Sequence, residues 1–550
     1  MIIKKYSKYL LGVIVILMFS GFLSGDNDVY YQISKNMDLF SKVYKEITFN
    51  YVDSVNAGEF MKAGIEGMLS SLDPYTIFID GEKKDEIDLI TNGKYGGVGV
   101  SIGVRGDKVT VIEVLDGYSA QRQGIRVGDE LISAAGVRIT PENVEQVSSL
   151  VKGEPGTTVN LKIVRDDSKD TLNFNLVREE VIVKNLTYYG FYPPNSNNVY
   201  LRLSDFSRSA ADEVKDALED LKSKKEIKSI VLDLRGNPGG LLDVAVDICD
   251  KFLPKGEIVV ETRGRDQQDD KKYYSTQEPL AGKARLVILV NGGSASASEI
   301  VTGAMQDHDR GVVLGTKTFG KGLVQTITPL NYNTSLKITT AKYYTPSGRC
   351  IQKVDYAKDN KVISDADSVV SKPFMTDDKR VVYSGGGITP DTTITYEIKG
   401  DITKQLLAQG LFFEFADHYY YDHQNETYSQ VTDDDVFIAF REYLKEQKFT
   451  YTSDVERGLD KLIASVQEQK MGSMIQDDLT KAKNEIDGKE LKSLDNFKDE
   501  IIQQIREELA SRYSGTKGKI EVELNYDPQF QAALKILSDA PVYDKLLGIK

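Results

Sequence analysis

Two short stretches carry residues that could do covalent chemistry. In "NGGSASASEI", residues 291–300, Ser294, Ser296 and Ser298 fall where an apolar strand pattern gives way to a helical one. A serine at a helix N-terminus lies beside outward-facing N–H groups, which can hold a developing oxyanion. The plainer reading is N-capping, a role that suits serine well. The second stretch is "GTKTFGKG", residues 315–322. It nearly spells the phosphate loop G-x-x-x-x-G-K-[ST], with Gly315, Gly320 and Lys321 in place. Gly322, however, stands where that loop needs a hydroxyl for magnesium. The following "GLVQTITPL" alternates like a strand and does not open a helix. Both departures argue against nucleotide binding.

A serine nucleophile needs a base. The chain has three histidines, His308, His418 and His423. His308 closes the helix that starts near the serines, about 18 Å away at about 1.5 Å per residue. The other two lie in a polar C-terminal region, where they read as core or surface residues. Lysine can serve instead if its amine is neutral, which requires lowering its pKa from about 10.4 toward about 7 to 8. Lys321, at a strand end in a glycine-rich turn, sits where burial can do that.

The elements that must position these residues follow from periodicity. "IKSIVLDLRGNPGG", "ARLVILVNGGSASASEI" and "GVVLGTKTFGKG" are apolar strands, each ending in a glycine-rich turn, with helical segments between them. This rhythm predicts βαβ units and a largely parallel sheet, whose sites lie beyond the carboxyl ends of the strands. Residues 95–180 alternate as short strands ("KVTVIEVL", "VNLKIVR", "LNFNLV") and form a small β-rich domain. Residues 30–90 are helical, with Leu39, Phe40, Val43, Ile47 and Tyr51 at helical spacing. Beyond about residue 396 the chain is helical and polar, with Phe497, Ile501, Ile505 and Leu509 on one stripe.

At 550 residues the chain exceeds what one core supports. A net charge of -14 without a Lys/Arg cluster argues against nucleic acid as a partner. Cys249 and Cys350 read as isolated thiols. No His/Cys set has metal-ligand spacing, and no metal or other cofactor is expected. The N-terminus places Lys4, Lys5 and Lys8 before an uncharged apolar run from Tyr9 to Gly25. That pattern is a signal peptide or signal anchor, so most of the chain is expected outside the cytoplasm.

"NGGSASASEI", "GAMQD" and "TFGKGLVQ" together resemble the signature of the C-terminal processing peptidases, or tail-specific proteases. "GMLSSLDPYT", "DLRGNPGG", "YYTPSGR" and "SGGGITPD" resemble further stretches of that family, in order, over residues 35–395. The tail beyond 396 resembles the longer members only loosely. The resemblance implies a multidomain α/β protein with a crotonase/ClpP-like βαβ protease core. Its divisions would be a signal peptide or anchor (1–25), an N-terminal helical region (26–90), a PDZ domain (91–180), the core (181–395) and a C-terminal helical domain (396–550).

Carried over by motif, the nucleophile is Ser296 of S-A-S-E and the base is Lys321 of F-G-K-G, 25 residues later. Gln325 matches the glutamine that orients the lysine, and Asp307 an acidic position often associated with the site. The oxyanion hole falls to the Ala297 N–H with an N–H of the Asn237–Gly240 turn, from Gly239 or Gly240. "YGGVGVSIG" followed by "GYSAQRQGIRVGDELISAAGVRI" resembles a PDZ domain. Its carboxylate-binding loop corresponds to Gly97, Val98, Gly99 and Val100, and such domains capture a chain end as an added strand.

The implied function is an exported serine endopeptidase of the bacterial periplasm or cell envelope, anchored to the inner membrane if residues 9–25 are retained. It acts on proteins bound by their C-termini. Homodimerisation and an activating or adaptor protein belong to the same family picture. The rivals are a non-catalytic PDZ scaffold, a P-loop enzyme and an acyl transferase on a crotonase-type core.

Overall fold

The computed structural model describes residues 26–80, 93–165, 170–354, 356, 371–469, 473–486 and 494–549. The apolar run expected to be a signal peptide or anchor lies outside these residues. The chain divides into two compact units. The smaller one contains the described residues up to 80, residues 325–339 and residue 356; the larger contains the rest.

In the smaller unit, helices Asp26–Asn50 and Ala57–Leu69 bear out the helical periodicity. Asn56 caps the second by accepting from Gly58 N and Glu59 N. Leu39, Val43 and Tyr51 of the expected apolar stripe are exposed. Tyr44 and Phe60 stack across the pair. Strand Ile77–Ile79 pairs antiparallel with residues 335–337.

The larger unit is built on a six-stranded sheet whose spatial order is the chain order: Leu186–Phe191, Asn198–Leu203, Ser229–Asp233, Arg285–Val290, Val312–Gly315 and Thr392–Thr393. The first strand pairs antiparallel with the second, and the remaining pairings are parallel. The middle strands are buried on both faces, which is why they read as unbroken apolar runs. Helices Ala210–Lys224, Leu242–Cys249 and Ala297–Asp307 cover one face, packing Val214, Leu218, Ile248, Ile300 and Val301 against Leu232, Leu286 and Ile288.

The other face carries Tyr200, Val231, Val287, Leu289 and Leu314. It is covered by Leu524, Phe530, Ala533 and Leu537 from the end of the chain. The C-terminal helices therefore do two jobs. Those from Asp401 to about Leu509 build their own core around Phe412, Phe415 and Phe440, with Ile501, Ile505 and Leu509 fully buried as their spacing predicts. Helix Lys498–Tyr526 breaks at Gly515, which has φ 63°, and the chain beyond returns to the sheet.

The β-rich domain has the sheet order Val100–Arg105, Lys108–Val114, Glu130–Ala134, Thr158–Val164, Thr171–Val177. Val100–Arg105 is an edge strand of this sheet. The domain rests on the C-terminal helices, with the Arg105 guanidinium 5.5 Å from the centre of the Phe413 ring. Thr516 Oγ1 donates to Glu113.

Candidate active site

The strands Ser229–Asp233, Arg285–Val290 and Val312–Gly315 are adjacent, so the three glycine-rich turns that follow them meet at one end of the sheet. Residues 291–296 carry the chain from the middle strand into helix Ala297–Asp307. The three serines there have different fates. Ser294 and Ser298 are fully buried. Ser294 Oγ donates to the Leu234 carbonyl at 2.7 Å, and Ser298 Oγ to the Asn237 carbonyl at 2.9 Å. Both hydroxyls thus tie this turn to the 234–240 turn. Ser296 is half-buried and holds φ 53°, ψ -112°. Residues other than glycine rarely adopt positive φ, and such strain survives only where the surroundings over-determine it.

The surroundings do over-determine it. Glu299, one turn into the helix, is completely buried. Its Oε2 accepts from Ser296 N and from Lys321 N, both at 2.9 Å. Its Oε1 accepts from Gly320 N at 2.8 Å and from Thr318 Oγ1 at 2.6 Å. Burial pushes the Glu299 carboxyl up to about 7, against the pull of these four donors. Tyr343 forms a second clamp. Its hydroxyl donates to the Lys321 carbonyl at 2.5 Å and lies 3.1 Å from the Ser296 carbonyl. Burial raises that phenol well above its ordinary value, so it remains a donor. A carboxylate and a phenol therefore join the backbones of residues 296 and 321.

This arrangement answers the phosphate-loop reading. The Gly320 and Lys321 N–H groups, which such a loop would offer to a nucleotide, are given to Glu299. The chain then continues as strand Leu323–Pro329, with no helix to complete the motif.

The third turn packs against the 291–296 turn. Ala295 N donates to the Asn237 carbonyl, and Gly236 N to Asn291 Oδ1. Gly239 has φ 100°, and a Cβ there would lie 2.8 Å from both Ser296 Cβ and Ala297 N, so only glycine fits. Its N–H donates to Asn237 Oδ1 at 2.9 Å. Of the expected oxyanion donors, Gly239 is thus engaged within its own turn. Ala297 N–H is the first of its helix and has no intrahelical acceptor by position.

Asp307 is not brought to the site. It ends the helix that Ser296 begins, about 16 Å along it at 1.5 Å per residue. There it pairs with buried Arg349 at 2.7 Å and accepts from Ser347 N and Thr345 Oγ1. Gln325 belongs to the smaller unit, where its amide donates to Thr339 Oγ1 at 3.2 Å. His308 is likewise removed from the serines, its ring nitrogens bound to Asp377 and the Ile258 carbonyl at 2.7 Å each. Neither Cys249 nor Cys350 forms a disulfide.

At the β-rich domain, the Val98 and Gly99 carbonyls accept from Ala120 N and Leu115 N. No acceptor faces the Val98 and Gly99 N–H groups among the described residues. The edge strand Val100–Arg105 runs directly out of this loop.

Sequence reasoning missed Glu299 and Tyr343. Ser296 and Glu299 do have capping-box spacing, which was a usable signal for the carboxylate. Tyr343 offers no local signal, because its partners are 22 and 47 residues away.

Comparison with known proteins agrees with this organisation. Peptidase family S41 matches residues 197–362, a PDZ domain residues 110–165, and the C-terminal helical domain of a probable PDZ-protease residues 402–537. The N-terminal domain of the activating protease CtpB matches residues 22–83. A carboxy-terminal-processing protease of Bartonella bacilliformis is 37% identical over 339 residues, covering 61% of this chain and 76% of its own length. Carboxy-terminal processing protease CtpB of Bacillus subtilis is 32% identical, covering 58% of this chain and 66% of its own length. A probable CtpA-like serine protease of Staphylococcus haemolyticus is 33% identical, covering 58% and 64%. With a serine-bearing turn on an S41 core, a PDZ domain before it and a helical domain after it, the chain belongs to the carboxy-terminal processing proteases and is a serine-type endopeptidase.

Proposed function

We propose that Ser296 is the nucleophile and Lys321 the general base of this protease. The observation that carries the assignment is the Glu299 carboxylate, which binds the backbone N–H groups of both residues and so sets one turn against the other. In the forward step, neutral Lys321 Nζ takes the proton from Ser296 Oγ as that oxygen attacks the scissile carbonyl carbon. The Ala297 and Gly240 N–H groups face the oxyanion that forms. Lys321 then passes the proton to the departing amine, and the C–N bond breaks to leave an acyl-Ser296 ester. Water, deprotonated by Lys321, attacks the ester, and the proton returns to Ser296 Oγ as the peptide acid leaves.

Substrates are protein chains held by their C-termini. The Val98 and Gly99 N–H groups suit a terminal carboxylate, and the edge strand Val100–Arg105 suits β-augmentation by the residues before it. The same reading places the enzyme in the bacterial cell envelope, delivered by residues 1–25. It allows pairing with a second copy, and an activating or adaptor partner.

The test is cleavage of an unstructured protein, with products identified by mass spectrometry. Wild type should cut it, and Ser296→Ala and Lys321→Arg should not. A free apolar C-terminus should be cut faster than the same end amidated. Wild-type turnover by Ser296→Ala would overturn the assignment of the nucleophile.

A further inference from the structure

The 234–240 turn is held from two sides, and only one is the nucleophile turn. On the far side Arg235 is the handle. Its Nε donates to Asp233 Oδ1 at 2.9 Å, and Asp233 is fixed in turn by the Tyr200 hydroxyl at 2.7 Å. Arg235 Nη1 then reaches the end of the chain. It lies 2.6 Å from Asp527 Oδ2 and 2.9 Å from Gln529 Oε1.

Both partners are anchored. Asp527 divides its carboxylate: Oδ1 caps helix Pro528–Ser538 by accepting from Gln529 N at 2.8 Å and Phe530 N at 3.1 Å, which leaves Oδ2 for Arg235. Gln529 Nε2 donates to the Ile394 carbonyl at 2.6 Å, and Gln529 is 4% exposed. The next residue, Phe530, is fully buried against the sheet face beneath this turn, with Tyr200 at a ring distance of 5.3 Å. The helix start is therefore fixed to the sheet independently of Arg235.

We propose that Asp527 and Gln529 are positioning residues of the active site, gripping Arg235 and through it the turn that faces Ser296 and Ala297. The last helices thereby complete the catalytic frame of a core that ends more than a hundred residues earlier. The geometry favours a role in the chemical step over one in substrate affinity. The grip acts on the turn that carries Gly239 and Gly240, while the 97–100 loop lies in another domain. The proposal rests on the reading of Ser296 and the 237–240 turn given above.

The test uses the full-length enzyme and Asp527→Asn. Asparagine is as good an N-cap as aspartate, so the helix start is retained while the negative charge facing Arg235 is lost. Removing one oxyanion donor outright costs about 100- to 1000-fold in kcat. Loosening the turn should cost less, about tenfold in kcat, with KM within about twofold. Acylation by an activated ester should slow by the same factor, because a short ester bypasses the tail-binding domain. Gln529→Leu should act in the same direction and carries the test if Asp527→Asn does not fold. Arg235→Met combined with Asp527→Asn should be no slower than Arg235→Met alone, since both act through one contact. Wild-type kcat in folded Asp527→Asn, a loss seen only in KM, or additive losses in the double variant would each overturn the proposal. Ser296→Ala is the companion control. If that variant retains activity, the reading of the site fails; if it is inactive while Asp527→Asn is normal, only the positioning role fails.

Discussion

The turns proposed as catalytic and the 97–100 loop are both glycine-rich connections beside a strand, yet they treat their backbone donors in opposite ways. At the catalytic turns, the N–H groups of Ser296, Gly320 and Lys321 are all consumed by the Glu299 carboxylate. At the loop, the carbonyls of Val98 and Gly99 are bonded, and their N–H groups face no acceptor among the described residues. On the function proposed above, the difference reflects two tasks. Chemistry needs reacting atoms held to within a fraction of an ångström, so the turns that carry them are tied internally. Recognition of a chain end needs donors left open for the incoming carboxylate, and a strand edge left unpaired.

The comparison can be broken most severely at the reacting residues. Ser296→Ala and Lys321→Arg should each lower turnover by about 10⁴-fold or more while the melting temperature stays near that of wild type. Arginine keeps the charge but cannot act as a neutral base. Turnover within tenfold of wild type in either variant would remove that residue from the chemistry.

Next comes the internal tie. Glu299→Ala strips the shared acceptor from Ser296 N, Lys321 N, Gly320 N and Thr318 Oγ1, and kcat should fall about 100-fold in a protein that still folds. A variant with wild-type kcat would mean that the turns do not depend on the carboxylate. The same group gives a pH dependence. Burial raises its pKa from 4.5 to about 7, so between those values the folded chain keeps a proton that the unfolded chain has lost. The associated stability is full below about 4.5 and is lost as pH rises through about 7, by up to about 3 kcal/mol. Urea midpoints of wild type and Glu299→Gln at pH 5 and 8 should show wild type losing ground to the variant at the higher pH. A constant gap would refute the buried-carboxyl account.

The loop side is sharpened by Gly99→Ala. Gly99 has φ 82°, and a Cβ there would lie 2.3 Å from Tyr118 Cβ, so the loop must distort. We expect KM for a free apolar tail to rise about tenfold with kcat held, and no change for an amidated tail. Equal effects on both substrates would show that the loop does not read the carboxylate.

The smallest effect is expected at the second clamp. Tyr343→Phe deletes one hydrogen bond to the Lys321 carbonyl, worth about 1 kcal/mol, and should lower kcat about fivefold or less. A loss as large as that of Glu299→Ala would mean that the phenol, more than the carboxylate, sets the lysine turn.

Much of this was legible in the chain itself. The apolar strands, their glycine-rich ends and the buried stripe at Ile501, Ile505 and Leu509 all follow from local periodicity, and the structure bears them out. Ser294 and Ser298 were set apart from Ser296 by motif, and their hydroxyls prove to be bonded to the neighbouring turn. Asp307 was named from the family motif alone, and that motif does not record where its carboxylate is held. It is the eleventh residue of the helix that Ser296 begins, and its charge is matched by Arg349.

By itself, then, the sequence determined what depends on neighbours a few residues apart: element types, turn positions, and which serine and lysine carry family motifs. The tertiary structure decided everything that depends on contacts between distant segments. It placed three strands side by side, so that their turns meet. It turned a near phosphate loop into a carboxylate clamp by burying Glu299 beneath it. It brought residues 527 and 529 back to Arg235, almost 300 positions earlier. A buried polar group must find its partner wherever the fold supplies one, and no local pattern records a partner that is set by packing.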